Sequence, residues 1–276
     1  ERLFPICRSL TGSGVRETFR ILQEMNPIKT FEVPSGTSCF DWVVPQEWVI
    51  RDAWIKNSKG EKIIDFKSNN LHLVSYSEPV HEKLNLNELQ LRLHSLPELP
   101  FAVPYITAYY KKTWGFCLTE TQRSQLLEDT YEVMVDSEFI SGSLTYGEMI
   151  VPGASSKEIF VSTYICHPSM GNNELSGPVV ASYLAKWVRE NPRHYTYRFV
   201  FIPETIGSVM YVSKNLQQLK RQVVAAFNLT CCGDPGEFSF LPSRNGDTLA
   251  DEVAKHVLSY AAPQAKHYSF LDRGSY

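Results

Sequence analysis

The chain has 276 residues, 43% apolar and 21% charged, which is the balance of an ordinary globular protein and not of a disordered or membrane chain. Its net charge of −3 lacks the surplus of Lys and Arg that a phosphate-lined partner demands, so a nucleic-acid groove is excluded over this region. No apolar run approaches the roughly 18 residues that span a bilayer, and the opening Glu1-Arg2-Leu3-Phe4-Pro5 lacks the layout of a secretory signal, so a cytoplasmic location with no membrane partner is expected.

The first element expected is a helix over 14–25, where Val15, Phe19 and Leu22 share one face after a Thr11-Gly12-Ser13-Gly14 turn. From Phe31 to about Pro104 the chain turns rich in β-branched and aromatic residues broken by Pro, Gly, Asn and Ser. Two apolar runs, Trp48 to Ile55 and Lys62 to Phe66, flank Lys56-Asn57-Ser58-Lys59-Gly60 and predict a hairpin. This stretch reads as a small β-rich insertion, residues 35–109, into an α/β domain made of 1–34 and 110–276. Its histidines His72, His81 and His94 show no ligand spacing and read as structural or surface residues. Exposed strands there could pair between subunits, so a homo-oligomer stays open.

Thr119 to Leu127 reads as helix, and 131–134 and 139–152 as strands. The run Ile159 to Ile165 then has the near-continuous apolar character of a strand buried on both faces. A helix carrying Leu175, Val179, Val180, Tyr183, Leu184, Trp187 and Val188 follows, then a strand over 197–202, a helix over 206–216 and a strand over 223–230. Alternating strand and helix implies parallel crossovers and a three-layer, mostly parallel α/β sheet. The six cysteines are scattered without a CxxC pair and should be mainly buried free thiols.

In open α/β sheets ligands bind beyond the carboxyl ends of the strands. Those positions hold Cys166-His167-Pro168, Pro203-Glu204-Thr205 and Cys231-Cys232-Gly233-Asp234. One imidazole and two carboxylates at one sheet edge are the N/O donors of a catalytic zinc, with a carboxylate to spare as general base. Each also has an ordinary explanation: His167 ending a strand, Glu204 capping a helix, Asp234 fixing an Asp-Pro-Gly turn. Glu174 either adds a further carboxylate, as a substrate-binding group, or simply favours the helix that follows. Arg244 and the Asp272-Arg273 pair are candidates for gripping a substrate carboxylate, or surface ion pairs. Serine catalysis is disfavoured by the absence of a Gly-x-Ser-x-Gly elbow, and Cys166 and His167, being sequence neighbours, point to opposite sides of a strand.

The stretches 3–12 (LFPICRSLTG), 163–177 (TYICHPSMGNNELSG), 201–207 (FIPETIG) and 271–275 (LDRGS) together resemble the aminopeptidase-like DUF4910/DUF2172 family, distant relatives of the M28 zinc aminopeptidases. The resemblance spans nearly the whole chain and implies a zinc-aminopeptidase (phosphorylase/hydrolase-like) fold acting on a peptide or small amide. Carried across, it puts His167 and Asp234 on a zinc ion and makes Glu204 the base. The Asp that bridges two metals in M28 enzymes aligns with Asn173, four residues before Gly177, and the Glu after the base aligns with Thr205. A neutral amide and a hydroxyl are poor ligands there, so one ion or none is expected. The last His ligand of the M28 pattern would fall beyond Tyr276. Two functions follow: a metal-dependent aminopeptidase-type hydrolase, or a catalytically impaired relative that binds a peptide or small molecule as a regulatory module.

Overall fold

A computed structural model describes residues 1–273, the side chain of Arg273 excepted. Helix α1 (Ser13–Leu22) leads into strand β1 (Lys29–Pro34), after which the chain leaves for a second sheet. That sheet is built from β2 (Glu47–Lys56), β3 (Lys62–Asp65), β4 (Val80–Asn85) and β5 (Thr130–Ile140), in the order β3-β2-β5-β4 and wholly antiparallel. The hairpin β2–β3 turns at Gly60, whose φ of 81° only a glycine adopts freely. The main sheet resumes with β6 (Ser143–Val151), β7 (Ser155–Tyr164), helix α2 (Ser176–Glu190), β8 (Tyr195–Ile202), helix α3 (Ile206–Gln222) and β9 (Val223–Asn228). Helix α4 (Leu249–Ala261) packs beside β9.

The main sheet runs β1-β6-β8-β7-β9, parallel across β8, β7 and β9 and antiparallel at β1 and β6. Its α/β core is therefore the half that carries the crossovers. Strand β8 shows why these segments read as continuous apolar runs. Phe199 and Phe201 pack with α1 and α2 on one face, while Val200 and Ile202 pack with α3 and the second sheet on the other. The result is three layers: α1 and α2, the main sheet, then α3 with the second sheet. One apolar cluster joins Leu144, Tyr146 and Met210 to Trp48, Ala53 and Val133, so the inserted sheet shares its core with the main domain.

Strand pairing keeps the chain in the second sheet through Ile140, since β5 lies between β2 and β4. Two details depart from the sequence expectations. The helix expected over 119–127 is one short turn, Glu120–Ser124, capped by Thr119. On α2 the buried face is Gly177, Pro178, Ala181, Ser182, Ala185 and Val188, and Val179, Val180, Tyr183 and Trp187 are exposed. Small residues face the sheet because the helix sits close against it: a Cβ at Gly177 would collide with the Leu229 carbonyl and the Thr163 hydroxyl. Among the described residues no helix is long and apolar enough to cross a membrane. All six cysteines are free; Cys39, Cys117 and Cys166 are buried, Cys7 is half-buried, and Cys231 and Cys232 are exposed.

One charged residue sits in the middle of β8. Arg198, 2% exposed, donates to Glu158 on β7 at 2.7 and 2.9 Å and to Glu148 on β6 at 2.5 Å, and Tyr211 of α3 hydrogen-bonds the same Glu148. Removing one partner of a buried ion pair strands the other. Arg198→Ala should therefore lower the unfolding free energy by about 3–5 kcal/mol, read from urea denaturation; a loss under about 1 kcal/mol would show that this cluster does not brace the sheet.

Candidate active site

The carboxyl ends of β7, β8 and β9 converge on one rim, and each delivers a short polar loop. Strand β7 runs into Ile165-Cys166-His167-Pro168, and the chain then makes a single π-helical turn, Gly171–Leu175, before α2. Such turns recur at functional sites because they push side chains out of helical register. Here the turn aims Asn173 and Glu174 at His167.

His167 is 5% exposed and both ring nitrogens have acceptors. Nδ1 lies 2.9 Å from the Asn173 amide oxygen and 3.4 Å from Glu174 Oε2, and Nε2 lies 3.1 Å from Glu204 Oε2. The ring is held between Tyr105 and Tyr164, with centroids at 4.8 and 5.2 Å. Tyr105 comes from the inserted segment, so the insertion reaches the site. Burial works against a charged imidazole, but the Cys166 sulfur and the Glu204 and Glu174 carboxylates favour it, and its proton is held well above the ordinary histidine range. We assign that effect to the carboxylates, because burial raises the Cys166 thiol and keeps it un-ionised at neutral pH.

Glu204 is half-buried and opens on a crevice of about 1080 Å³ lined also by Tyr164, Ser208, Thr230, Phe240 and Asp272. The residue after it, Thr205, has φ 56°, a left-handed conformation that costs a non-glycine residue about 1–3 kcal/mol and is found mostly where function requires it. That turn lets β8 end and α3 begin with three residues between them, leaving the Glu204 side chain on the rim.

Glu174 is fully buried and faces inward, away from the crevice. Its Oε1 accepts the Cys166 backbone N–H at 2.7 Å and lies 3.5 Å from Arg8 Nε. Burial pushes this carboxyl up to about 7, against the pull of His167 and Arg8. Arg8, 0% exposed, also donates to the carbonyls of His167 at 2.8 Å, Pro168 at 3.2 Å and Leu3 at 2.8 Å. Sequence reasoning gave Arg8 no role. Its only signal was its place in the stretch 3–12, far in sequence from the loop it holds.

Asp234 lies apart from this cluster. It is exposed, its Oδ2 accepts Asn172 Nδ2 at 2.8 Å and its Oδ1 accepts the Gly236 N–H at 2.7 Å, the Asp-Pro-Gly turn anticipated as its alternative. Asn172 also receives the Gly233 N–H at 2.8 Å, so the loop after β9 is pinned beside Asn173 without Asp234 facing His167. Among the described residues, the His/Cys/Asp/Glu group close enough to share an ion is Cys166, His167 and Glu174, whose ligand atoms lie within 4.8 Å of one another. Arg244 is exposed on the loop before α4, Asp272 borders the crevice, and the Arg273 side chain lies outside the described residues.

The loop bearing Arg244 is held by one buried carboxylate. Asp251 accepts from Ser243 N and Oγ at 2.7 and 2.6 Å and from Thr248 N and Oγ1 at 2.9 and 2.6 Å.

Chain-wide comparison agrees with this architecture. The family described as "Domain of unknown function (DUF4910)" matches residues 1–276, and the chain belongs to that family. A Clostridium acetobutylicum protein, provisionally named for polysaccharide biosynthesis and carrying an aminopeptidase-like domain, is 46% identical over 275 residues. The chain spans 63% of that relative's length. A crystal structure of a provisionally named peptidase from the same organism superposes with a TM-score of 0.95 at 46% identity, over 99% of this chain and 65% of that one. The zinc aminopeptidase BSAP of Bacillus subtilis matches with a TM-score of 0.63 at 11% identity over 95% of this chain and 74% of its own, a likeness of fold.

The Asp251 carboxyl carries a pH signature. Burial raises its pKa, but the Ser243 and Thr248 bonds outweigh burial and hold it below the ordinary 3.8. A depressed carboxyl contributes stability that is complete above the unfolded value and lost as pH falls through the folded one. Protection of the amides across 241–251, taken against the intrinsic exchange rate at each pH, should therefore be high at neutral pH and fall as the pH drops below 3.8. In Asp251→Asn protection should be low at every pH, and equal protection in the two proteins at pH 7 would refute this account.

Proposed function

We propose that this member of the DUF4910 family is a metal-dependent, peptidase-like hydrolase of the aminopeptidase type, with water activated by one zinc ion and Glu204. The observation that carries the reading is the 3.1 Å approach of His167 Nε2 to Glu204 Oε2 at the rim of the crevice. Asn173 and Glu174 offer only acceptors to Nδ1, so Nδ1 bears the ring hydrogen. Nε2 then meets a carboxylate, and that meeting requires either a second proton or a cation.

The residues fit one ion at most. His167 Nε2, on the crevice side, is a nitrogen donor of the zinc type, and Glu204 Oε2 at 3.1 Å stands beside it as the group to act on water. They do not fit a pair of ions, because the Asn173 oxygen is engaged by Nδ1 and Thr205 presents only an exposed hydroxyl. His167 would hold the ion through Nε2. Asp234, whose oxygens are taken by Asn172 and the Gly236 N–H, would join such an ion only after its loop turned toward His167. A bound ion would lower the pKa of a coordinated water toward neutrality.

The rest is done by the chain itself. Glu204, half-buried and open to the crevice, is the group placed to take a proton from water and pass it to the departing amine. Tyr105 and Tyr164 exclude solvent from the faces of His167, and Arg8 fixes the carbonyl of the same residue. The name of the C. acetobutylicum relative, which joins an aminopeptidase-like domain to polysaccharide biosynthesis, supports testing amides carried on sugars beside aminoacyl substrates.

One observation favours the second reading, a binding module without turnover. With His167 protonated, Arg8 and His167 balance Glu174 and Glu204, and the cluster is electrically satisfied without an ion. Elemental analysis and a substrate panel separate the two. The enzyme reading expects about one zinc per chain, and Glu204→Gln should keep the zinc while turnover falls about 10²–10⁴-fold. Protein free of stoichiometric metal, or a Glu204→Gln variant as active as the parent, would leave the binding module standing.

A further inference from the structure

Every contact of Glu174 is internal. It is 0% exposed, on the one π-helical turn of the site, and its two oxygens have different partners. Oε1 is committed to the Cys166 N–H and the Arg8 guanidinium. Oε2 has no hydrogen-bond partner, although it is buried, and lies 3.4 Å from His167 Nδ1. A buried carboxylate oxygen without a donor is costly enough that native structures seldom keep one unless it has a use.

We propose that Glu174 is the positioning residue of this site: its Oε2 takes the Nδ1 hydrogen of His167, which turns Nε2 toward Glu204 and the crevice. The competing acceptor is the Asn173 amide oxygen, nearer at 2.9 Å but uncharged. A carboxylate makes the stronger bond to an imidazole N–H, and hydrogen bonds to charged groups are roughly twice as strong as neutral ones. Small rotations of the ring and of the turn separate 2.9 from 3.4 Å, whereas the Glu174 carboxyl is held in position by Arg8 and the Cys166 N–H. Metal-binding histidines are generally oriented by such a carboxylate on the far nitrogen, and its loss typically weakens metal binding 10–100-fold. The role assigned here to Glu174 is thus to orient the ligand, with no contact to substrate.

The assignment of a metal-linked role rests on the proposed function, but the hydrogen bond does not, so two readouts keep them apart. The first is proton and nitrogen NMR of the His167 side chain in chelator-treated, metal-free protein. A slowly exchanging Nδ1–H resonance at low field is expected, moving upfield in Glu174→Gln and staying in place in Asn173→Ala. The second is zinc affinity by competition with a chromophoric chelator, expected to fall about 10–100-fold in Glu174→Gln. Should Glu174→Gln fail to fold once Arg8 loses its counter-ion, Asn173→Ala alone still decides, because an Nδ1–H resonance that shifts there identifies Asn173 as the acceptor and overturns the proposal. A parent protein that binds no zinc yet shows the Glu174-dependent resonance would sink the enzyme reading and leave the positioning bond intact.

Discussion

The burial of one guanidinium, that of Arg8, is the constraint from which the site follows. Its charge has no access to water, so its N–H groups must be met inside the protein. They are met by the carbonyls of Leu3, His167 and Pro168, by the Thr18 hydroxyl and by the Glu174 carboxylate. Those partners come from the N-terminal segment, α1, the loop after β7 and the π-helical turn. Because a buried charge loses several kcal/mol when its partners separate, the four segments are bound to one geometry. His167 stands where it does because its own backbone carbonyl is one of the bonds Arg8 needs.

Sequence patterning revealed the sheet edge and little of this. The strands β7, β8 and β9 were legible because both their faces are buried, which writes long apolar runs into the chain. That put His167, Glu204 and Asp234 at neighbouring strand ends, and the ends do share a rim. Periodicity carries no information on where a side chain turns after its strand. Asp234 is drawn to Asn172 and the Gly236 N–H, and Glu174 to Arg8 across 166 residues of chain. The inward face of α2 is hidden from hydropathy for a related reason. Hydropathy favours Val180, Tyr183 and Trp187, but the close approach of helix and sheet selects Gly177, Ala181 and Ala185, which the eye counts as neutral.

A change of composition accompanies the chain's passage into the second sheet, and no comparable change marks where it leaves. Strand β5 belongs to it by pairing, yet lies after a stretch of helix-like sequence, and nothing local distinguishes Thr130–Ile140 from a strand of the main domain. Shared packing explains why the division is blurred in energetic terms as well. Val133 of β5 joins Tyr146 and Met210 in one apolar cluster, so the second sheet is a layer of the same core. This also gives the insertion a rigid base from which Tyr105 reaches the ring of His167.

Electrostatics narrows the chemistry that such a site performs. Arg8 and Glu174 neutralise each other beneath the surface, so the charge that can change lies between His167 and Glu204. A proton on Nε2 closes that pair as an internal salt bridge; were a divalent cation held at the same place, as proposed, it would take the position of that proton and leave the carboxylate to act on water. Proton and metal would then compete for one position, so metal binding would weaken as the ligand protonates. The two carboxylates that raise the proton affinity of His167 are also the groups that would favour a cation. Asn173 and Thr205 add no negative charge to the site, so its balance is that of a single positive charge on the crevice side of His167.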